Sequence, residues 1–97
     1  MRTSSQNIGQ LVKEIINTIN NVKNWQAYNI TNLASIRSFV GSHDGWLFTI
    51  VETDVEDNDA PRYSGMCRNS QKKIFMHLPI DVAESAAKKA MRVAGSN

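Results

Sequence analysis

The first apolar positions of the chain, Ile8, Leu11, Val12, Ile15, Ile16, Ile19 and Val22, recur at three- and four-residue spacing, with Gln10, Lys13, Glu14, Asn17 and Asn21 between them. That period places one apolar stripe on a helix and predicts an amphipathic helix, started by Ser4 or Ser5 and ended near Asn20, Asn21 and Asn24. From Asn32 the period changes. Leu33 to Val40 alternates, Gly41 to Gly45 is rich in turn formers, and Trp46 to Thr53 is dense in aromatic and β-branched residues, so two strands joined as a hairpin are expected. In the second of these, Trp46, Phe48, Ile50 and Glu52 share one face while Leu47, Thr49, Val51 and Thr53 share the other. Both faces are largely apolar, which predicts a central strand covered on both sides, with Trp46, Phe48 and Ile50 in the core.

Asp54 to Pro61 carries acids, Asn58 and a proline and reads as a loop. Tyr63 to Arg68 and Lys73 to Leu78 predict a second hairpin turning at Asn69, Ser70 and Gln71, ended by Pro79. Asp81 followed by Glu84 has the spacing of a capping box, and Ala83, Ala86, Ala87, Ala90 and Ala94 line one side of a last helix that Gly95 ends. The expected fold is α+β: a single domain over residues 1–97 in the order α-β-β-β-β-α, its antiparallel four-stranded sheet flanked by an N-terminal and a C-terminal helix.

Composition narrows the class. An apolar fraction of 41% and a charged fraction of 21% lie in the globular range rather than the disordered one. No apolar run approaches the roughly 18 residues of a membrane span or resembles a signal-peptide core, so a cytoplasmic protein without membrane contact is expected. Cys67 is the one cysteine, which excludes an intramolecular disulfide and a Cys-based zinc site within one chain. The net charge of +2 hides a polarised distribution. Every charged residue between Ser38 and Pro61 is acidic, whereas from Arg62 onward the bases face only Asp81 and Glu84.

Catalytic and metal chemistry finds no constellation. His43 in a turn and His77 in a strand lack a second ligand at helix or hairpin spacing, so no metal and no cofactor are expected. Counted from Asp54, the sixth and twelfth positions hold Asp59 and Gly65, where a calcium loop needs glycine and glutamate. Cys67 inside an apolar strand reads as an inert small hydrophobe, and phosphate-cradling loops and nucleophile elbows are absent. A non-enzyme is expected.

Binding residues are easier to find. Arg62, Arg68, Lys72 and Lys73 cluster on and beside the second hairpin, and Lys88, Lys89 and Arg92 occupy the polar side of the last helix, which together could form a basic stripe for nucleic acid. The succession of helix, sheet and Ala-rich helix resembles double-stranded-RNA-binding domains, whose last helix carries basic residues near its start. A second resemblance lies in the centre of the chain. The first helix, Ile30-Thr31-Asn32-Leu33, a strand, and Asp44-Gly45-Trp46 leading into a strand that reaches Val51-Glu52 resemble half of the gas vesicle protein O family, which implies a non-catalytic assembly factor. Beyond Glu52 the chain departs from that pattern and ends in a helix.

The leading expectation is a small non-enzymatic adaptor, assembly factor or inhibitor that contacts a protein partner, with Asp54, Glu56, Asp57 and Asp59 as the candidate contact residues; nucleic-acid binding through the basic hairpin and last helix is the alternative. Two arrangements stay open: the alanine-lined helix on one face and the first helix partly over the other, which leaves apolar surface for a homodimer to bury and is favoured by the apolar Leu47 and Val51, or both helices on one face of a monomer whose other face is solvated.

Overall fold

The structure, a computed structural model, describes residues 4–29, 37–53 and 62–94. Helix α1 (Ser4–Ile19) is followed by strands β1 (Gln26–Asn29), β2 (Arg37–His43), β3 (Trp46–Thr53), β4 (Arg62–Asn69) and β5 (Ile74–His77), and helix α2 (Ile80–Ala94). All strand pairs are antiparallel, and the spatial order β1-β2-β3-β4-β5 is that of the sequence. Among the described residues the sheet therefore has five strands where four are expected from the sequence, and the added one, β1, lies at its edge.

The hairpin between β2 and β3 turns in two residues. Asp44 and Gly45 both have positive φ (54° and 86°), the combination a type I′ turn requires and that Asp-Gly supplies at least cost. Gly41, Ser42 and His43, expected in the turn, are consequently the end of β2, with His43 opposite Trp46. Between β4 and β5 the turn is longer, Ser70 to Lys73, and begins where the buried Asn69 accepts the Lys72 amide through its side-chain oxygen at 3.0 Å. The Leu78 amide donates to the Gly65 carbonyl (2.8 Å), after which Pro79 turns the chain into α2. Because α2 begins at Ile80, Asp81 lies within its first turn, where its charge suits the helix dipole, and the Pro79 carbonyl accepts the Ala83 amide. Gly95 lies outside the described residues.

Strand alternation sorts the sheet into two faces. Phe39, Trp46, Phe48, Ile50 and Cys67 point to one side and are essentially unexposed. Over them pack Ile15 and Ile19 of α1, Val22 and Trp25 of the α1–β1 connection, and Ala83, Ala86, Ala87 and Ala90 of α2. α2 is also tied to the chain just past α1, Lys89 donating to Asn20 Oδ1 at 2.9 Å. Both helices thus cover the same face. This corrects the expectation that β3 is covered on both sides, and of the two helix arrangements that the sequence leaves open it is the one with both helices on one face; β3 is central, but among the described residues its second side carries no helix. Only part of the α1 stripe is used: Ile8 and Ile16 stay exposed beside the buried Ile15 and Ile19. Among the described residues the buried Nε1 of Trp25 has no hydrogen-bond partner, which counts against stability.

Two glycines set how closely the helical layer sits. A Cβ on Gly41 would lie 2.5 Å from Val22 Cγ1 and 2.8 Å from Trp25 Cε3, and one on Gly65 would lie 2.7 Å from Leu78 Cδ1 and 3.2 Å from the Ala83 Cβ. Gly9, by contrast, has nothing within 4 Å. We predict that Gly41→Ala destabilises the protein by about 1–3 kcal/mol through overpacking, while Gly9→Ala stabilises it by roughly 0.5–1 kcal/mol by raising helix propensity. Denaturant unfolding of the two variants measures both; a neutral Gly41→Ala would show that the close approach is not a constraint.

Candidate ligand-binding face

The face without helices is assembled from alternate residues of all five strands. Across it run two rows of cross-strand neighbours, Phe75, Arg68, Leu47 and Ser42 in one, and Tyr28, Ser38, Val51 and Ser64 in the other. Between them lie Gln26, Val40, Thr49, Met66 and His77. The centre is half-buried and largely apolar (Val40, Leu47, Thr49, Val51, Met66), and the rims carry two aromatic rings, Tyr28 at 51% exposure and Phe75 at 67%. The Tyr28 hydroxyl donates to Gln26 Oε1, which holds that ring along its own strand. None of the described strand residues on this face is acidic, whereas Arg62 and Arg68 are among them.

At the β4–β5 end a shallow cleft of about 330 Å³ is lined by Arg68, Asn69, Ser70, Lys73, Ile74 and Phe75. Among the described residues the side chains of Arg68 and Lys73 make no hydrogen bond or ion pair, so two cations stand beside an exposed ring. Lys73 owes its place to the turn, where its φ of 58° reverses the chain. At the other end of β4 a larger cleft, about 500 Å³, is bordered by Arg62, His77 and Glu84 with Tyr63, Leu78 and Ile80. Its charges are mixed and Arg62 already has an interaction, so it offers less to an anion.

The basic residues singled out in the sequence do not form one stripe. Arg62 and Arg68 are on the helix-free face and Lys73 at its rim. Lys72, although adjacent to Lys73, folds back to the helical side, where its Nζ donates to Glu14 Oε2 at 2.6 Å and lies 5.9 Å from the centre of the Trp46 ring. Lys88, Lys89 and Arg92 are on α2, in the opposite layer. His77 is exposed on the open face. The acidic residues Asp54, Glu56, Asp57 and Asp59 lie outside the described residues, as does Ile30-Thr31-Asn32-Leu33. Sequence reasoning missed Tyr28 because it missed β1. Phe75 was within reach, since a hairpin with Asn69 opposite Ile74 puts Phe75 beside Arg68.

Polar groups on the covered face are engaged with one another. Glu52, buried, accepts from Arg37 Nε at 3.5 Å, and both Arg37 and the Tyr63 hydroxyl approach the Met91 sulfur. Burial, reinforced by the Glu52 charge, pushes the Tyr63 hydroxyl above its ordinary pKa. Burial alone raises the Cys67 thiol to about 11. The thiol is therefore protonated at neutral pH and poorly nucleophilic. Among the described residues no three His, Cys, Asp or Glu side chains converge on a common point. No helix there is long and apolar enough to cross a membrane. Comparison with protein-family models, with curated proteins and with solved structures finds no match.

Two outcomes follow from these titrations. Cys67 is expected to resist iodoacetamide at pH 8 until the protein unfolds, so its alkylation rate should track the unfolded fraction under denaturant; rapid native labelling would contradict its burial. Glu14 is held below the ordinary carboxylate pKa by the hydrogen bond from Lys72, with a second from Trp46. A depressed carboxylate stabilises the fold above its unfolded pKa and loses that contribution as pH falls through its folded value. The stability gap between the wild type and Glu14→Gln should accordingly be present at pH 6 and close towards pH 3, and a gap that widens on acidification would contradict the Lys72 contact.

Proposed function

We propose that this protein is a non-enzymatic binding module that engages nucleic acid through the helix-free face of its sheet. The observation that carries this reading is the pair of uncommitted cations, Arg68 and Lys73, beside the exposed Phe75 ring on a face whose described strand residues include no acid. Phosphates supply the charge that such cations lack, and bases supply flat apolar surface for such rings. A protein partner is the second reading, supported by the half-buried apolar centre of Val40, Leu47, Val51 and Met66. A second copy of this chain or an adaptor target could cover that centre, and the contact would depend little on salt. An assembly role of the kind implied by the gas vesicle resemblance belongs to this second reading.

Binding of fluorescent oligonucleotides, measured between about 50 and 200 mM salt, separates the two. The logarithm of the affinity should fall with the logarithm of salt concentration, by roughly 0.7 per phosphate contacted on a single strand. Replacing Arg68 and Lys73 together with alanine should weaken binding and flatten that slope by about 1.4, while the pair Lys88→Ala and Arg92→Ala should leave it unchanged. Loss of binding only in the helix variant, or binding indifferent to salt, would refute the assignment of the face.

A further inference from the structure

We infer that the ligand of this face is a single strand lying on the diagonal from Phe75 to Tyr28, an inference that rests on the nucleic-acid reading above. The two exposed rings occupy opposite edges of the sheet and opposite rows. From β5 to β1 there are four strand spacings, about 19 Å, and from the row of Leu47 to the row of Val51 four residues of rise, about 13 Å, so the rings are roughly 23 Å apart along the surface. The line between them leaves the cleft where Arg68 and Lys73 stand, passes between Arg68 and Met66, crosses Thr49 at the middle of β3, and runs between Val40 and Ser38 to Tyr28. Cations are thus concentrated at the Phe75 end, and the rest of the path offers hydroxyls and apolar surface.

That layout suits unpaired bases. A duplex keeps its base faces stacked inside, where neither ring can reach them, whereas an extended strand turns them outward onto aromatic side chains. A strand takes about 3.4 Å per nucleotide when stacked in a duplex and nearly twice that when pulled open, so about 23 Å accommodates on the order of four nucleotides. The base at one end rests on Phe75 with its phosphate held by Arg68 and Lys73, and the base at the other rests on Tyr28. Because the rings read only flat surface, sequence preference should be slight.

Fluorescence anisotropy with single-stranded oligonucleotides on the order of two to ten nucleotides long, a hairpin duplex and polyglutamate tests this. Affinity should rise steeply up to about four nucleotides and then level, and the duplex should bind more weakly than the single strand. Phe75→Ala and Tyr28→Ala should each weaken the single strand about 5- to 150-fold, the stacking contribution of one base, with Phe75→Trp retaining it. Both positions are exposed, so a circular dichroism spectrum unchanged from the wild type accompanies these effects. Single-strand binding that is lost in Arg68→Ala but indifferent to both aromatic variants, or a duplex that binds as well as the single strand, overturns the diagonal and leaves the nucleic-acid reading standing. Failure of every oligonucleotide, or equal affinity for polyglutamate, overturns both.

Discussion

The structure depends on packing both helices against a single face of the sheet. A meander of five strands has two faces, and whichever is covered must exclude water over Phe39, Trp46, Phe48, Ile50 and Cys67. The close fit is possible because Gly41 and Gly65 leave no side chain under Val22, Trp25, Leu78 and Ala83, and because α2 buries only alanines. Small residues let the two layers approach, and the dispersion attraction between them is slight for each pair of atoms but large in sum. Once the helical layer is spent on one side, the chain has no described element left for the other. The open face with its two rings is the complement of that packing.

The same constraint explains how similar cations acquire different roles. Lys72 and Lys73 are neighbours in a four-residue turn, yet the turn sends the first under the sheet to Glu14 and Trp46 and leaves the second at the rim of the open cleft. Lys72 ties the β4–β5 turn to α1, and Trp46 Nε1 donates to the same Glu14 carboxylate at 3.2 Å. An exposed ion pair of this sort contributes little stability, but it removes one cation from the surface a ligand meets. Lys89, bonded to Asn20, is likewise occupied between the helices. Clustering along the chain therefore overstates clustering in space.

Much of the architecture was legible because local and global preferences agree. Trp46 to Thr53 is a strand with its inward residues correctly assigned, since its period of two coincides with β-branched and aromatic composition, and α2 follows from Pro79 and the alanine spacing. Strand β1 was not legible: Gln26, Ala27 and Tyr28 are all exposed at an edge, so no alternation marks them. That both helices share one face was one of two arrangements the sequence left open, for a related reason. Leu47 and Val51 make the second side of β3 look covered, although half-exposed apolar residues at the centre of an open sheet are ordinary. Of the candidate site, Arg68 and Lys73 could be named from charge, but their separation from Lys72 and from α2 required the turn geometry, and Tyr28 required the missing strand.

The central claim is that the helix-free face is the working surface, and titrating an amide NMR spectrum with a short single-stranded oligonucleotide tests it most directly. Saturable shifts confined to the sheet are predicted, strongest at Arg68, Lys73 and Phe75 and extending through Thr49 to Tyr28, with the outer side of α2 at Lys88 and Arg92 unmoved. Shifts centred on α2, or a spectrum that does not respond, would contradict it.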